Sequence, residues 1–226
     1  MNYKKIKEDN SELKIWKVFP DGTSIGTLGY SKKNVPVLKK LLMSFAEQYG
    51  EHITYEAAEE ELKLYSERGK LFVLFDKEGN AVSMNGVTYN EDNISVDFKK
   101  YNGEKPTNLY FYGLSTVKEY RGRGACHKLI DFAIKYAYHN DFDLVYARTD
   151  LVDSNSEWIM EQAGLEVCTE NDDIITEYVP VDEFHGDYRL HLWLPLKEDL
   201  YLESKSKAIF ADKKNRQLVK RKGVVA

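Results

Sequence analysis

A strand, a glycine turn and a helix follow one another without a break between residues 108 and 138, and they limit the fold more than any other part of the chain. Asn108 to Val117 is dense in Tyr, Phe and Leu, which predicts a strand. Lys118 to Gly124 forms a turn with glycines at 122 and 124. From about Arg123 to Tyr138, Leu129, Ile130, Ala133, Ile134 and Ala137 recur at helical spacing. Leu144–Thr149 then predicts another strand. A strand–helix–strand unit places its strands parallel, joins them right-handed and covers one face of a sheet with the helix.

The remaining elements complete an α/β pattern. Leu13–Phe19 reads as a strand, and residues 34–49 and 54–68 read as helices closed by Gly50 and Gly69. Leu71–Phe75 and Ala81–Tyr89 are strands around the hairpin loop Asp76-Lys77-Glu78-Gly79-Asn80. Asn155–Ala163 is a helix capped by Gly164, and Leu165–Thr169, Ile174–Val179 and Arg189–Leu194 finish as strands. With 226 residues, 13% aromatics and a net charge of −5, the chain has core enough for one domain plus a tail. The acidic balance speaks against whole-surface nucleic-acid binding. No apolar run approaches the roughly 20 residues of a membrane span, and the first residues carry no apolar leader. Two cysteines, Cys126 and Cys168, build neither a disulfide framework nor a four-ligand metal set, so a reduced, cytoplasmic protein is expected. Residues 204–226 hold eight basic side chains and one acid, while residues 166–188 hold eight acids and no Lys or Arg. The boundary expected from this shift is a domain over 1–203 followed by a basic tail over 204–226. The tail's Ile209, Phe210, Leu218 and Val219 predict that it docks on the body or a partner subunit, with RNA contact through the tail as the other reading.

A strand that ends in a glycine turn and opens a helix presents several backbone N–H groups, and the helix dipole adds partial positive charge. That geometry binds phosphate. The turn lacks the Lys-Ser/Thr ending of a P-loop, and the third glycine of a dinucleotide fingerprint is replaced by His127. By its residues alone the turn is either a phosphate cradle or a tight βα connection with two solvated arginines, Arg121 and Arg123.

The run Arg121-Gly122-Arg123-Gly124-Ala125-Cys126, preceded by Leu114-Ser115-Thr116-Val117, resembles motif A of the GNAT superfamily, the Gcn5-related N-acetyltransferases. Asp153-Ser154-Asn155 through Trp158 to Gly164-Leu165 is similar to the family's second signature, and the resemblance covers roughly residues 10–196. It implies a mixed, mostly antiparallel, splayed sheet with helices on both faces. It also implies acetyl-CoA as cosubstrate. The diphosphate would lie on the amides of Arg123, Gly124, Ala125, Cys126 and His127, beside Arg121 and Gly122. The pantetheine arm would run along Thr116 and Val117, with Asn155 as a side-chain contact. The acceptor implied is a primary amine, and the acidic stretch would favour a cationic one. The family's basic Glu falls on Tyr110 and its acidic Tyr on Met160, so Tyr110 and Tyr112 are the candidates to orient water or donate a proton. His191 is the candidate base. Family members often dimerise, which makes a homodimer an expectation as well.

Overall fold

The computed structural model describes residues 13–46, 52–93, 95–152, 155–180 and 186–219. The element order is β1 (Lys14–Val18), β2 (Ser24–Leu28), α1 (Val35–Ala46), α2 (Tyr55–Arg68), β3 (Gly69–Phe75), β4 (Ala81–Tyr89), β5 (Val96–Lys100), β6 (Asn108–Thr116), α3 (Ala125–His139), β7 (Leu144–Asp150), α4 (Asn155–Gln162), β8 (Glu166–Val167), β9 (Thr169–Glu170), β10 (Asp173–Pro180), β11 (Gly186–Pro195), β12 (Leu200–Ser204), β13 (Ile209–Asp212) and β14 (Leu218–Val219). The chain folds as two compact units, residues 1–89 with 111–133 and residues 90–110 with 134–226, so β6 and α3 each run from one unit into the other.

In the first unit the strand order is β1-β2-β3-β4-β6. The first three pairings are antiparallel. Every residue of β3 is buried, because helices cover both faces of the sheet. Successive side chains on a strand point to opposite faces. Phe72 of β3 meets Phe132 of α3 edge-on at 5.3 Å, while Gly86 of β4, paired with Leu71, faces Tyr65 of α2. Helix α2 begins where Thr54 caps it, its side chain accepting from Ala57 N. It buries Ala58, Leu62 and Tyr65 on one stripe. The strand β2, which has no strong alternation of its own, is held by pairing to β3.

In the second unit the order is β7-β11-β10-β13-β14, with β8 on β11, β9 on β10, and a separate β5–β12 pair. All of these pairings are antiparallel. Its core gathers Phe98, Tyr110, Leu144, Tyr146, Ile175 and Phe210. Phe210 lies in the basic segment that begins at residue 204. Position 203/204 falls inside β12, and Ile209–Asp212 adds a strand to β10. The apolar residues within the basic segment outweigh its charge and draw it into the sheet. Residues 220–226, the end of that segment, lie outside the described residues.

Candidate active site

The glycine turn lies wholly in the first unit. A single 3-10 turn at Lys118–Tyr120 leads out of β6. Gly122 and Gly124 then take φ of +71° and +75°, a left-handed conformation in which a side chain is strained. A Cβ built on either would meet nothing within 4 Å, so the face of the turn is open. The first helical bond runs from Lys128 N to Gly124 O, 3.1 Å. The amides of Ala125 and Cys126 precede it and stand outside the helical ladder. Beside the turn is a cavity of about 250 Å³ lined by Tyr120, Arg123, Ala125 and Lys128 together with Asp21 and Asp76.

The turn is braced from three sides. Arg121 donates from Nε to Thr116 O (3.1 Å) and from Nη2 to Ser44 O at the end of α1 (2.6 Å). Tyr120 donates its hydroxyl proton to Asp76 of the β3–β4 hairpin at 2.9 Å, and the Arg123 guanidinium lies 5.2 Å from the Tyr120 ring centroid. Thr116 Oγ1 is 2.7 Å from Ser83 Oγ and 3.0 Å from Cys126 Sγ. Arg121 is thus an exposed side chain that also staples the turn. The backbone at Thr116 and Val117 is also committed: Thr116 O accepts from Arg121, and Val117 N donates to Val82 O at 2.9 Å.

The open part of β6 is further back. Besides the Val117–Val82 bond, Asn90 N donates to Asn108 O at 2.8 Å. Val82 to Asn90 spans eight residues and Asn108 to Val117 spans nine, so β6 carries one extra residue, a bulge. Tyr112, Gly113 and Leu114 are the residues of β6 that are not buried, with Tyr112 49% exposed.

Tyr110, two residues earlier, is 4% exposed and belongs to the second unit's interior. Its hydroxyl accepts from Arg148 Nε at 2.9 Å, and Arg148 Nη1 reaches Glu177 Oε2 at 3.1 Å. His191 is fully buried, with Nδ1 2.7 Å from the Tyr146 hydroxyl. Glu177 Oε2 lies 3.8 Å from His191 Nε2, but Arg148 already claims that carboxylate. Burial, helped by repulsion from Arg148, lowers the His191 pKa to about 3. His191 is thus sealed from solvent with Nδ1 committed to Tyr146, and the buried Tyr110 has its hydroxyl committed to Arg148, so both expected proton-transfer groups lie inside the second unit's core. Asn155 is exposed at the first residue of α4 in the second unit, and Asp153 and Ser154 lie outside the described residues. Met160, at the family's tyrosine position, is buried.

One pair escaped the sequence reading. Tyr65 of α2 donates its hydroxyl to Glu61 Oε1 at 2.5 Å. Burial raises the Glu61 pKa above the usual carboxylate range, and the Tyr65 bond opposes the rise. The available signals were the four-residue spacing of Glu61 and Tyr65 on one helix face and a glycine, Gly113, in mid-strand.

Residues 35–157 match the model of the acetyltransferase (GNAT) family. The chain belongs to that family. No curated protein sequence matches it. Among solved structures, it is similar to an acetyltransferase (GNAT family) from Bacillus anthracis, with 12% identity, a TM-score of 0.58, and coverage of 81% of this chain and 99% of that one. It is also similar to the ribosomal-protein-S18-alanine N-acetyltransferase from Escherichia coli, with 12% identity, a TM-score of 0.53, and coverage of 79% and 99%. A third similar structure is the NatC complex bound to Gag peptide and CoA, with 16% identity, a TM-score of 0.53, and coverage of 76% and 99%. At these identities the likeness is one of fold: mixed α/β, with a mostly antiparallel sheet. Among the described residues no helix is long and apolar enough to cross a membrane.

Proposed function

We propose that this acetyltransferase moves the acetyl group of acetyl-CoA directly to a primary amine that is cationic at neutral pH. The observation that carries the reading is the turn at Gly122 and Gly124, open on one face, braced on the other, and leading into the N-terminus of α3. The residues present fit the diphosphate of CoA: small residues at Gly124, Ala125 and Cys126 let phosphate oxygens approach the backbone, and Arg123 adds charge beside them. His127 stands in the same first turn. Arg121 positions the turn through Thr116 and Ser44 instead of contacting phosphate itself. Because Thr116 O and Val117 N are used, the pantetheine amides pair with the bulged stretch Tyr112–Leu114, where β6 is open.

Acetyl-CoA supplies the activated thioester carbonyl. The protein's tasks are to hold that carbonyl in place, to bind the amine and to deliver it unprotonated. The similar E. coli structure is named for acetylating a ribosomal-protein alanine, so peptides beginning with alanine belong in the acceptor panel beside simple amines and polyamines.

The test is calorimetric titration with acetyl-CoA of the wild type and of Gly124→Glu, followed by thiol release with the amine panel. Wild-type binding with a dissociation constant in the micromolar range is expected, lost by at least about 100-fold in the variant, because a carboxylate and a strained backbone replace the phosphate seat. Equal binding by both proteins would remove the turn from the cofactor site.

A further inference from the structure

The α2 side of β6 carries a polar feature that the phosphate turn does not use, and the inference drawn from it rests on the acetyl-transfer reading above. Tyr65 lies against the backbones of β4 and β6. A Cβ at Gly86 would stand 2.1 Å from Tyr65 Cζ, and one at Gly113 would stand 3.0 Å from the Tyr65 hydroxyl and 3.8 Å from Glu61 Oε1. Two glycines thus make room for one phenol, and the phenol ends at Gly113 with its hydroxyl donating to Glu61 Oε1. The pair reaches the same open, bulged stretch of β6 to which the acyl arm is assigned. Tyr112 of that stretch meets the Tyr65 ring edge-on at 6.0 Å.

We propose that Glu61 is the general base that deprotonates the acceptor amine, and that Tyr65 is the residue that positions it. Glu61 carboxylate takes one proton from R–NH₃⁺. The lone pair so freed attacks the thioester carbonyl carbon, the N–C bond forms and the C–S bond breaks. The thiolate leaves with the second nitrogen proton, and Glu61 returns its proton to water. The products are the acetamide, CoA thiol and one released proton. An anionic carboxylate at this place also attracts an ammonium ion before it deprotonates it, which matches a cationic acceptor. Glu61 Oε1 accepts from the Tyr65 hydroxyl on α2 and approaches β6 at Gly113, where the uncharged Met84 of β4 also reaches; among the described residues the Tyr65 hydroxyl is the titratable group that acts on it. Burial raises its pKa above the ordinary carboxylate value, and the Tyr65 hydrogen bond opposes the rise.

The experiment uses the full chain, acetyl-CoA and two probe amines: butylamine, an ammonium ion at neutral pH, and hydroxylamine, a free base there. Glu61→Gln is expected to lower kcat for butylamine by about 100-fold or more, to change hydroxylamine transfer far less, and to leave acetyl-CoA binding by calorimetry unchanged. Wild-type rates should fall on the acid side as Glu61 protonates. Tyr65→Phe removes the bond that holds the Glu61 pKa down, so it should move that acid limb to higher pH, a shift that a merely structural role would not give. Equal losses with both amines, or an acid limb that survives in Glu61→Gln, would overturn the assignment. Failure of the wild type to bind acetyl-CoA would instead remove the parent reading, and this one with it.

Discussion

The two units each hold a polar cluster, and the clusters do opposite things with their charge. In the second unit Arg148 joins Tyr110 and Glu177, and Glu177 stands near His191. These groups are mostly shut away, with Glu177 and His191 both buried. Each is satisfied by another protein group or held neutral. In the first unit Glu61 has one bonded partner, Tyr65, and faces the open stretch of the strand. Perturbed titration accompanies both clusters, so perturbation alone does not mark a reactive site. Access does. The buried cluster stabilises; the half-open pair is where a proton can be exchanged with a ligand.

The largest effect should come from breaking the buried cluster. Arg148→Met leaves the Glu177 carboxylate buried without its counter-charge, a change that costs about 3–5 kcal/mol when one partner of a buried pair is removed. Urea unfolding should show a midpoint lowered accordingly, at unchanged m-value. Glu61→Gln in the same assay should leave stability equal or slightly higher, because a neutral amide escapes the burial penalty that the carboxylate bears. Similar losses from the two substitutions would erase the contrast between the clusters.

A finer probe uses one substitution twice on one strand. Tyr110→Phe deletes the acceptor of Arg148 Nε in a buried setting and should cost about 1–3 kcal/mol. Tyr112→Phe, two residues on, deletes a hydroxyl from a residue that is 49% exposed, where water replaces any lost bond; less than about 0.5 kcal/mol is expected. Thermal unfolding of the pair of variants measures the difference directly. A reversed order would mean that the bulge leaves the ends of β6 in environments other than those described.

The turn was legible in the sequence because its chemistry is local: two glycines, a strand before and a helix after determine where backbone amides point. The strands β3, β4, β6 and β7 were legible for the same reason, each a dense apolar run. The alternation rule placed Tyr110 and Tyr112 on one face, yet Tyr110 is 4% exposed and Tyr112 49%, because what covers each stretch of the strand is set by distant segments. The bracing role of Arg121 was not legible, because one of its two carbonyl acceptors, Ser44, is 77 residues away. His191 looked like a base because a histidine in a strand reveals nothing about which side is covered. The C-terminal strands were hidden by net charge, although Ile209 to Asp212 all pair that segment with β10. Glu61 was hidden among the acids at 56, 59 and 60, and only the packing of Tyr65 on Gly86 and Gly113 distinguishes it.

The pH dependence of stability tests whether His191 belongs to the stabilising cluster. Its pKa is about 3 in the folded protein and near 6.5 when unfolded. Between those values the unfolded chain binds a proton that the folded protein does not, so stability rises with pH and is lost on acidification. The contribution is fully present above about pH 6.5 and falls by about 1.2 kcal/mol between pH 6 and pH 5. Denaturant unfolding across that interval, for the wild type and His191→Gln, isolates the term, since every carboxylate contributes equally to both proteins. The wild type should be steeper by about that amount, whatever the substitution does to absolute stability. Parallel slopes would mean that His191 titrates normally in the folded state and is open to solvent, and the line drawn between a sealed cluster and a reactive pair would then have to be redrawn through the second unit as well.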